Sequence, residues 1–319
     1  MRRLLTNLPQ IATGLGLSLG LLSIKIFPRS FFLATARVAA DLGFVLFHSF
    51  RTRSIRNLTL ALGDQLGAAE IAATVRRSLR NFFRDVVELG FALEAPVEQI
   101  RAEIPLSGRE HLQAALSKGK GAIALGAHLG NFFLVGTRLA AEGYPTYVLV
   151  NQPPNGYFGR LMDRWRLRLG QRTIHARPRR QAFRNLVQAL RRNETTVVIA
   201  DEYRSGSGVF VPFFGRTVMA RRGPATLALR TGAALVPIYL IRRLDGELML
   251  IIEPEIELAK SGAIKADVRE NTLRIAEWLE KTVSTYPDQW NWMNVRWRQA
   301  PLGAWVGKQP RYEASAPER

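Results

Sequence analysis

The sequence predicts an α/β fold, with a mostly parallel central sheet flanked by helices and N-terminal membrane-associated helices in front of it. Two observations predict the sheet. From Ser107 onward, short apolar runs alternate with longer segments of helical period, as in βα units. The run "GAIALGAHLGNFF", residues 121–133, also reads as a buried strand handing over to a helix, with a histidine at the junction. A third observation predicts the N-terminal helices: no charged residue falls between Ile11 and Ile24.

The stretch "IATGLGLSLGLLSIKIF", residues 11–27, is 17 residues long with Lys25 near its end. That is the low edge of the roughly 17–25 residues needed to span a bilayer. Arg2 and Arg3 favour a cytoplasmic N-terminus. A membrane anchor or embedded helix and a cleaved secretory signal are both open readings. The first is favoured, because the small-residue "ATA" at 34–36 lies behind Lys25 and Arg29, a poor place for cleavage. The next segment, "RSFFLATARVAADLGFVLFHSF", places Arg37 and Asp41 four apart on one helix face. Lipid tolerates that pair poorly, so the helix is expected to lie on the membrane or to dock on the domain. Residues 1–60 hold eight basic residues against one acid, which suits an anionic leaflet.

Helical spacing continues over 70–93. Strands are expected near 121–127, 145–151, 195–201, 234–242 and 247–253. Helices are expected near 108–118, 131–142, 155–170, 179–193, 221–231 and 268–285. There is no internal repeat and no low-complexity linker. The chain therefore divides into membrane-anchoring and interfacial helices over 1–50, an α/β domain over 51–305 and a polar, frayed tail over 306–319.

A net charge of +19 demands an anionic partner: nucleic acid, anionic lipid or a phosphorylated substrate. Only seven lysines contribute. Arginine suits bidentate phosphate binding, and a GC-rich genome produces the same bias. Nucleic acid is set aside, since no recognition motif is present and a DNA binder has no use for the apolar N-terminus. With no cysteine, disulfides, zinc–thiolate sites and a cysteine nucleophile are excluded. Four scattered histidines (His48, His111, His128, His175) make no metal site, and no bound cofactor is expected.

The candidate chemistry begins at His128. A histidine after an apolar strand is either structural or a general base. Gly130, which allows close backbone approach, and Asn131, which can cap or donate, favour the second. A second apolar run ends in Asp201-Glu202, either a solvated acidic turn or part of a site. After it come a Ser-Gly-Ser-Gly loop, the apolar "VFVPFFG" and a helix opening near Arg221-Arg222-Gly223-Pro224, a place for an anion. Between Arg160 and Arg184 nine arginines face the single acid Asp163. Such one-signed charge points to phosphate or anionic lipid. The segment 286–305 gathers four of the six tryptophans beside arginines, as at a membrane interface or in an aromatic core.

The blocks "AHLGNFF", "NQPPNGYFGRLMDRWRLRLG", "DEYRSGSGVFVPFFGRTVMARRGPATLALRTGAALVPIY" and "YPDQWNWMNVRWR" resemble, in order, the bacterial lipid A biosynthesis acyltransferase family. "RTRSIRNLTLALGD" and "RSLRNFFRDVVELG" resemble its upstream helices. The resemblance covers about residues 35–300. It implies a membrane-associated enzyme at the cytoplasmic face of a bacterial inner membrane, among inner-membrane lipids. That enzyme moves a fatty acyl group from acyl carrier protein or coenzyme A to a hydroxyl of a lipid or glycolipid. It also implies that the histidine of an H-x4-[DE] motif takes the hydroxyl proton while the acid orients it. His128 matches the histidine, but the acid's place is Phe133.

Three explanations are open: another carboxylate, Asp201 or Glu202, serves His128; His128 acts without one; or the protein is a non-transferring relative that binds lipid or an acyl chain. Glu202 stands where the family more often has glutamine, near where an acid is missing. By the same resemblance Arg166 or Arg168 holds an anionic group and Arg204 belongs to the second polar motif; Asn131 beside the histidine and Arg222 at the helix opening are expected to contact substrate as well. The resemblance also implies that Phe210, Phe213, Phe214 and Gly215 help form the acyl channel and its floor.

Overall fold

The computed structural model describes residues 20–151, 157–201 and 208–297. Residues 20–26 are helical and lead to α1 (Arg29–Leu46), α2 (His48–Leu62), α3 (Ala68–Glu94) and α4 (Val97–Glu103). Next come β1 (Leu106–Ser107), α5 (Arg109–Ser117), β2 (Ala122–Gly126), α6 (Val135–Ala141), β3 (Thr146–Val150) and α7 (Tyr157–Arg168). They are followed by β4 (Gln171–His175), α8 (Arg179–Arg191), β5 (Thr195–Ile199) and a hairpin of β6 (Val209–Phe213) and β7 (Arg216–Ala220). The chain closes with α9 (Gly223–Thr231), β8 (Ala234–Arg242), β9 (Leu248–Ile252) and α10 (Ile264–Thr285).

Seven strands form one sheet in the order β1-β9-β8-β2-β5-β3-β4. Every neighbouring pair is parallel except β8 and β9. Those two are joined by a five-residue connection, too short for a parallel crossover. β2 and β8 lie in the middle and are buried along their whole length. That is why they read as unbroken apolar runs rather than alternating ones. One sheet face packs on α4, α5, α6, α7 and the end of α3, through Leu89, Ile100, Leu112, Leu139 and Trp165. The other packs on α8, α9 and α10, through Leu186, Leu190, Leu227 and Ile275. A third apolar cluster joins α2, the start of α3, the β6–β7 hairpin and the segment after α10.

The five expected strands fall within two residues of their observed bounds. Three features carried no clear signal. β1 has two residues, β4 is half polar as an edge strand can be, and β6 and β7 form a separate two-stranded ribbon. The helix expected from residue 131 begins only at Val135. Gly130 has φ +54°, and the peptide of Asn131 bonds to β8 instead of a helical turn.

Among the described residues, no single helix is long and apolar enough to cross a membrane. Only α1 and α2 together have the length and composition, and they meet at an 85° bend. α1 docks on α3: Arg80 grips Asp41 with two hydrogen bonds of 2.6 Å, and Arg76 donates a third of 2.8 Å. Its other face leaves Phe31, Val38, Leu42 and Val45 exposed. Most of the 11–27 stretch, and all of the tail, lie outside the described residues.

Candidate active site

β2 and β5 are parallel neighbours in a register that sets Gly126 opposite Ile199. Two residues beyond each, at the same carboxyl edge of the sheet, come His128 and Asp201. Open α/β sheets build their sites at that edge. His128 Nδ1 lies 2.7 Å from Asp201 Oδ1, and the His128 backbone N–H donates to Asp201 Oδ2 at 2.8 Å. Trp290 Nε1–H donates to the same Oδ2 at 2.8 Å. Asp201 is fully buried, whereas the His128 side chain is 24% exposed. Burial pushes the Asp201 carboxyl up, but the neighbouring imidazole and the donated hydrogen bonds outweigh it. The group is held below the ordinary carboxylate value.

The loop carrying His128 is clamped from two sides. Gly130 N–H donates to Gln289 O at 2.8 Å and Asn291 N–H to His128 O at 3.2 Å, so residues 289–291 lie along 128–130. Asn131 N–H donates to Leu240 O of β8 at 2.9 Å. A Cβ on Gly130 would come within 2.0 Å of Leu240 O, so this approach requires glycine. The Gln289 side chain reinforces the join, accepting from Arg242 N–H at 2.7 Å and donating to Arg242 O at 2.8 Å.

His128 lies in the wall of a cavity of about 320 Å³. Its other walls are mostly apolar, with Phe47, Phe50, Leu79, Phe82, Phe83 and Phe132 among them. Phe132 meets the imidazole edge-on, with ring centroids 4.9 Å apart. Phe133 does not face the cavity. Its ring packs on Phe132 and Phe82 and against the core. Phe133 is part-buried, and Asp201 already occupies Nδ1, the atom an orienting acid at 133 would have to serve.

The other sequence-predicted site residues divide by where the structure puts them. Glu202 and Arg204 lie outside the described residues. Asn131 does not reach the cavity: it is fully buried, and its amide donates to Glu88 Oε2 at 3.1 Å. Its role in the structure is to tie the His128 loop to α3. Arg166, mostly buried, donates to Asp163 at 3.3 Å and to Thr173 at 3.4 Å, and Arg168 donates to Leu93 O. Phe210 lies on β6. Phe213 is fully buried against Trp290, with centroids 5.8 Å apart. Phe214 and Gly215 form the two-residue turn of the hairpin, with φ +49° and +65°. The strained Phe214 peptide is held by a 2.6 Å hydrogen bond from its N–H to Glu280. Arg222 sits at the entrance to α9. None of the described ones among these lines the His128 cavity.

Sequence reasoning missed three parts of the site. Trp290 and Trp292 are buried, which decides for the aromatic core over the membrane interface at those two positions. Trp290 also serves Asp201, for which a buried tryptophan's need of an acceptor was the available signal. Gln289 carried no signal. The third is a buried ionic cluster behind Asn131. Arg242 binds Asp85 at 2.6 Å and Glu88 at 2.8 Å, and Arg84 donates to Glu88 at 3.0 Å. Burial drives the Asp85 carboxyl up to about 7; Arg242 opposes the shift and the charge on Glu88 adds to it.

Comparison with known proteins places this geometry. The family described as bacterial lipid A biosynthesis acyltransferase matches residues 5–299. The phosphatidylinositol mannoside acyltransferase of Mycolicibacterium smegmatis is 32% identical over 203 residues, covering 61% of this chain and 64% of that protein. The lipid A biosynthesis palmitoleoyltransferase of Escherichia coli K12 is 25% identical over 251 residues, 78% of each chain. The lipid A biosynthesis lauroyltransferase of the same strain is 24% identical over 317 residues, 94% of this chain and 98% of that one. The chain thus spans about three-fifths of the length of the mycobacterial relatives it matches and nearly all of the lauroyltransferase. With a family match over nearly its whole length and the motif histidine in place, this chain belongs to the bacterial lipid A biosynthesis acyltransferase family.

Proposed function

We propose that the protein is a membrane-associated acyltransferase that moves a fatty acyl group from an acyl carrier protein or coenzyme A thioester to a hydroxyl of a lipid or glycolipid. The observation that carries this reading is the 2.7 Å contact between His128 Nδ1 and Asp201, with the same imidazole in the wall of an apolar cavity. With Nδ1 bonded to the carboxylate, Nε2 is the nitrogen that takes the hydroxyl proton. The freed oxygen attacks the thioester carbonyl, a C–O bond forms and the tetrahedral intermediate expels the thiolate. The imidazolium then returns its proton to sulfur. Asp201 stays ionised, keeping the ring in the required tautomer and stabilising its cation.

The relatives named for lipid A and phosphatidylinositol mannoside favour a lipid or glycolipid acceptor. The exposed apolar face of α1 and the basic N-terminal region favour attachment to the cytoplasmic face of the inner membrane. A second reading, a silent lipid- or acyl-chain-binding relative, has Phe133 in its favour. The placement of Asp201 supports the enzyme.

The two readings part on turnover of long-chain acyl carrier protein and coenzyme A thioesters by purified protein in detergent. Hydrolysis or transfer that His128→Ala abolishes is the expected result. Bound acyl chain with no turnover of any donor would establish the silent relative.

A further inference from the structure

α3 has a second face. Ser78, Leu79, Phe82, Phe83 and Asp85 line the apolar cavity, whereas Arg80, Asn81 and Arg84 line a separate open groove against α1, closed on its far side by Leu33, Ala34 and Arg37. The groove has a volume of about 540 Å³. The two hollows are therefore separated by one helix, roughly 10 Å with its side chains. Arg76 and Arg80 share the single carboxylate of Asp41. Arg84 donates to Glu88, itself shared with Arg242, and to Gly246 O at 2.7 Å. Arg37 is exposed and makes no ion pair among the described residues. The groove thus holds more guanidinium charge than its own acids neutralise, on side chains that are already oriented.

We propose that this groove is a phosphate subsite that binds the phosphate of the lipid acceptor while the acyl chain occupies the neighbouring cavity. The inference rests on the proposed acyl transfer and adds to it the place in the fold where an acceptor's phosphate is held. Guanidinium groups match phosphate oxygens in fork geometry. The groove's α1 wall also adjoins the exposed stripe of Phe31, Val38, Leu42 and Val45. With that stripe on the bilayer, Arg37 lies at head-group level, where a lipid phosphate is found and a free anion is not concentrated.

The test is calorimetric binding of dioctanoyl phosphatidic acid, kept below its micelle concentration, to the full chain. Inorganic phosphate and dioctanoyl phosphatidylcholine are the comparison ligands. The expected result is binding of the phosphatidic acid that Arg37→Gln and Arg84→Gln each weaken about tenfold, the value of one charge-assisted hydrogen bond. Arg37→Lys should recover part of the loss, and Arg180→Gln, the same charge removed from α8, should change affinity less than twofold. Arg37 makes no ion pair among the described residues, so its substitution tests the site without breaking a contact that holds α1 to α3. Equal losses from Arg37→Gln and Arg180→Gln would reduce the effect to overall charge and overturn the proposal. So would binding of inorganic phosphate as tight as that of the lipid, which would make the groove a free-anion site. Because binding is read without turnover, the subsite can fail while His128-dependent transfer stands, and the reverse.

Discussion

At the scale of single residues, the missing acid of the motif is the informative departure. Phe133 reads from sequence as the loss of a catalytic group. In the structure its ring is part of the packing beside Phe82 and Phe132, and Asp201, 73 residues on from His128, meets Nδ1. Asp201 was legible as a candidate because it ends an apolar run. That its carboxylate reaches Nδ1 was not, because this depends on which way a residue just beyond β5 points. Trp290 belongs to the same unit. Trp290→Phe keeps the packing with Phe213 and Trp292 but removes one of the donors to a buried carboxylate. A loss of about 2 kcal/mol in unfolding free energy is expected, as for a hydrogen bond to a charged group. A roughly tenfold fall in turnover should accompany it, in kcat rather than KM, measurable by urea melts beside steady-state kinetics. An unchanged kcat would show that the indole only packs.

At the scale of elements, strands were easier to read than the joins between them. β2, β5 and β8 are buried runs of small and branched apolar residues, and buried parallel strands carry that pattern in the sequence itself. The join of α3 to the His128 loop is carried instead by Asp85, Glu88, Asn131 and Arg242, which are scattered along the chain and brought together only by tertiary packing. This join has a consequence for pH. The Asp85 carboxyl titrates near 7 in the folded chain against an ordinary 3.8. The folded state therefore holds a proton that the unfolded state has released between those values. Its contribution to stability is fully present below the ordinary value and declines as pH rises towards about 7. Asp85→Asn keeps an acceptor for Arg242 without that proton. Its unfolding free energy should fall less steeply than that of the parent between about pH 5 and 7. Denaturant melts across that interval check it, and parallel pH dependences of the two proteins would contradict it.

At the scale of the whole molecule, the sheet places the histidine cavity, the basic groove and the apolar face of α1 around one helix, α3. The large positive charge, loud in the composition, did not say where anions bind. Charge totals describe solubility and attraction, whereas location depends on which arginines are left over after internal pairing. Arg242 and Arg138 are spent inside the fold. Attachment to a bilayer should then need both the charge and the stripe. Val38→Asp with Leu42→Asp should lower co-sedimentation with vesicles of phosphatidylcholine and phosphatidylglycerol at least tenfold, about 1.4 kcal/mol. Added salt alone should weaken attachment only in part. Full release by salt, with no effect of the two substitutions, would make attachment purely electrostatic.

The mechanism turns on Asp201 taking the place of the motif acid. The most direct measurement is the turnover number of acyl transfer for Asp201→Asn and Glu202→Gln beside the parent protein, with Phe133 untouched. Asp201→Asn should lower it by roughly 10³–10⁴, as when a base loses its orienting carboxylate, and Glu202→Gln should have a far smaller effect. Near-parental turnover in Asp201→Asn, with the loss appearing in Glu202→Gln instead, would contradict this mechanism.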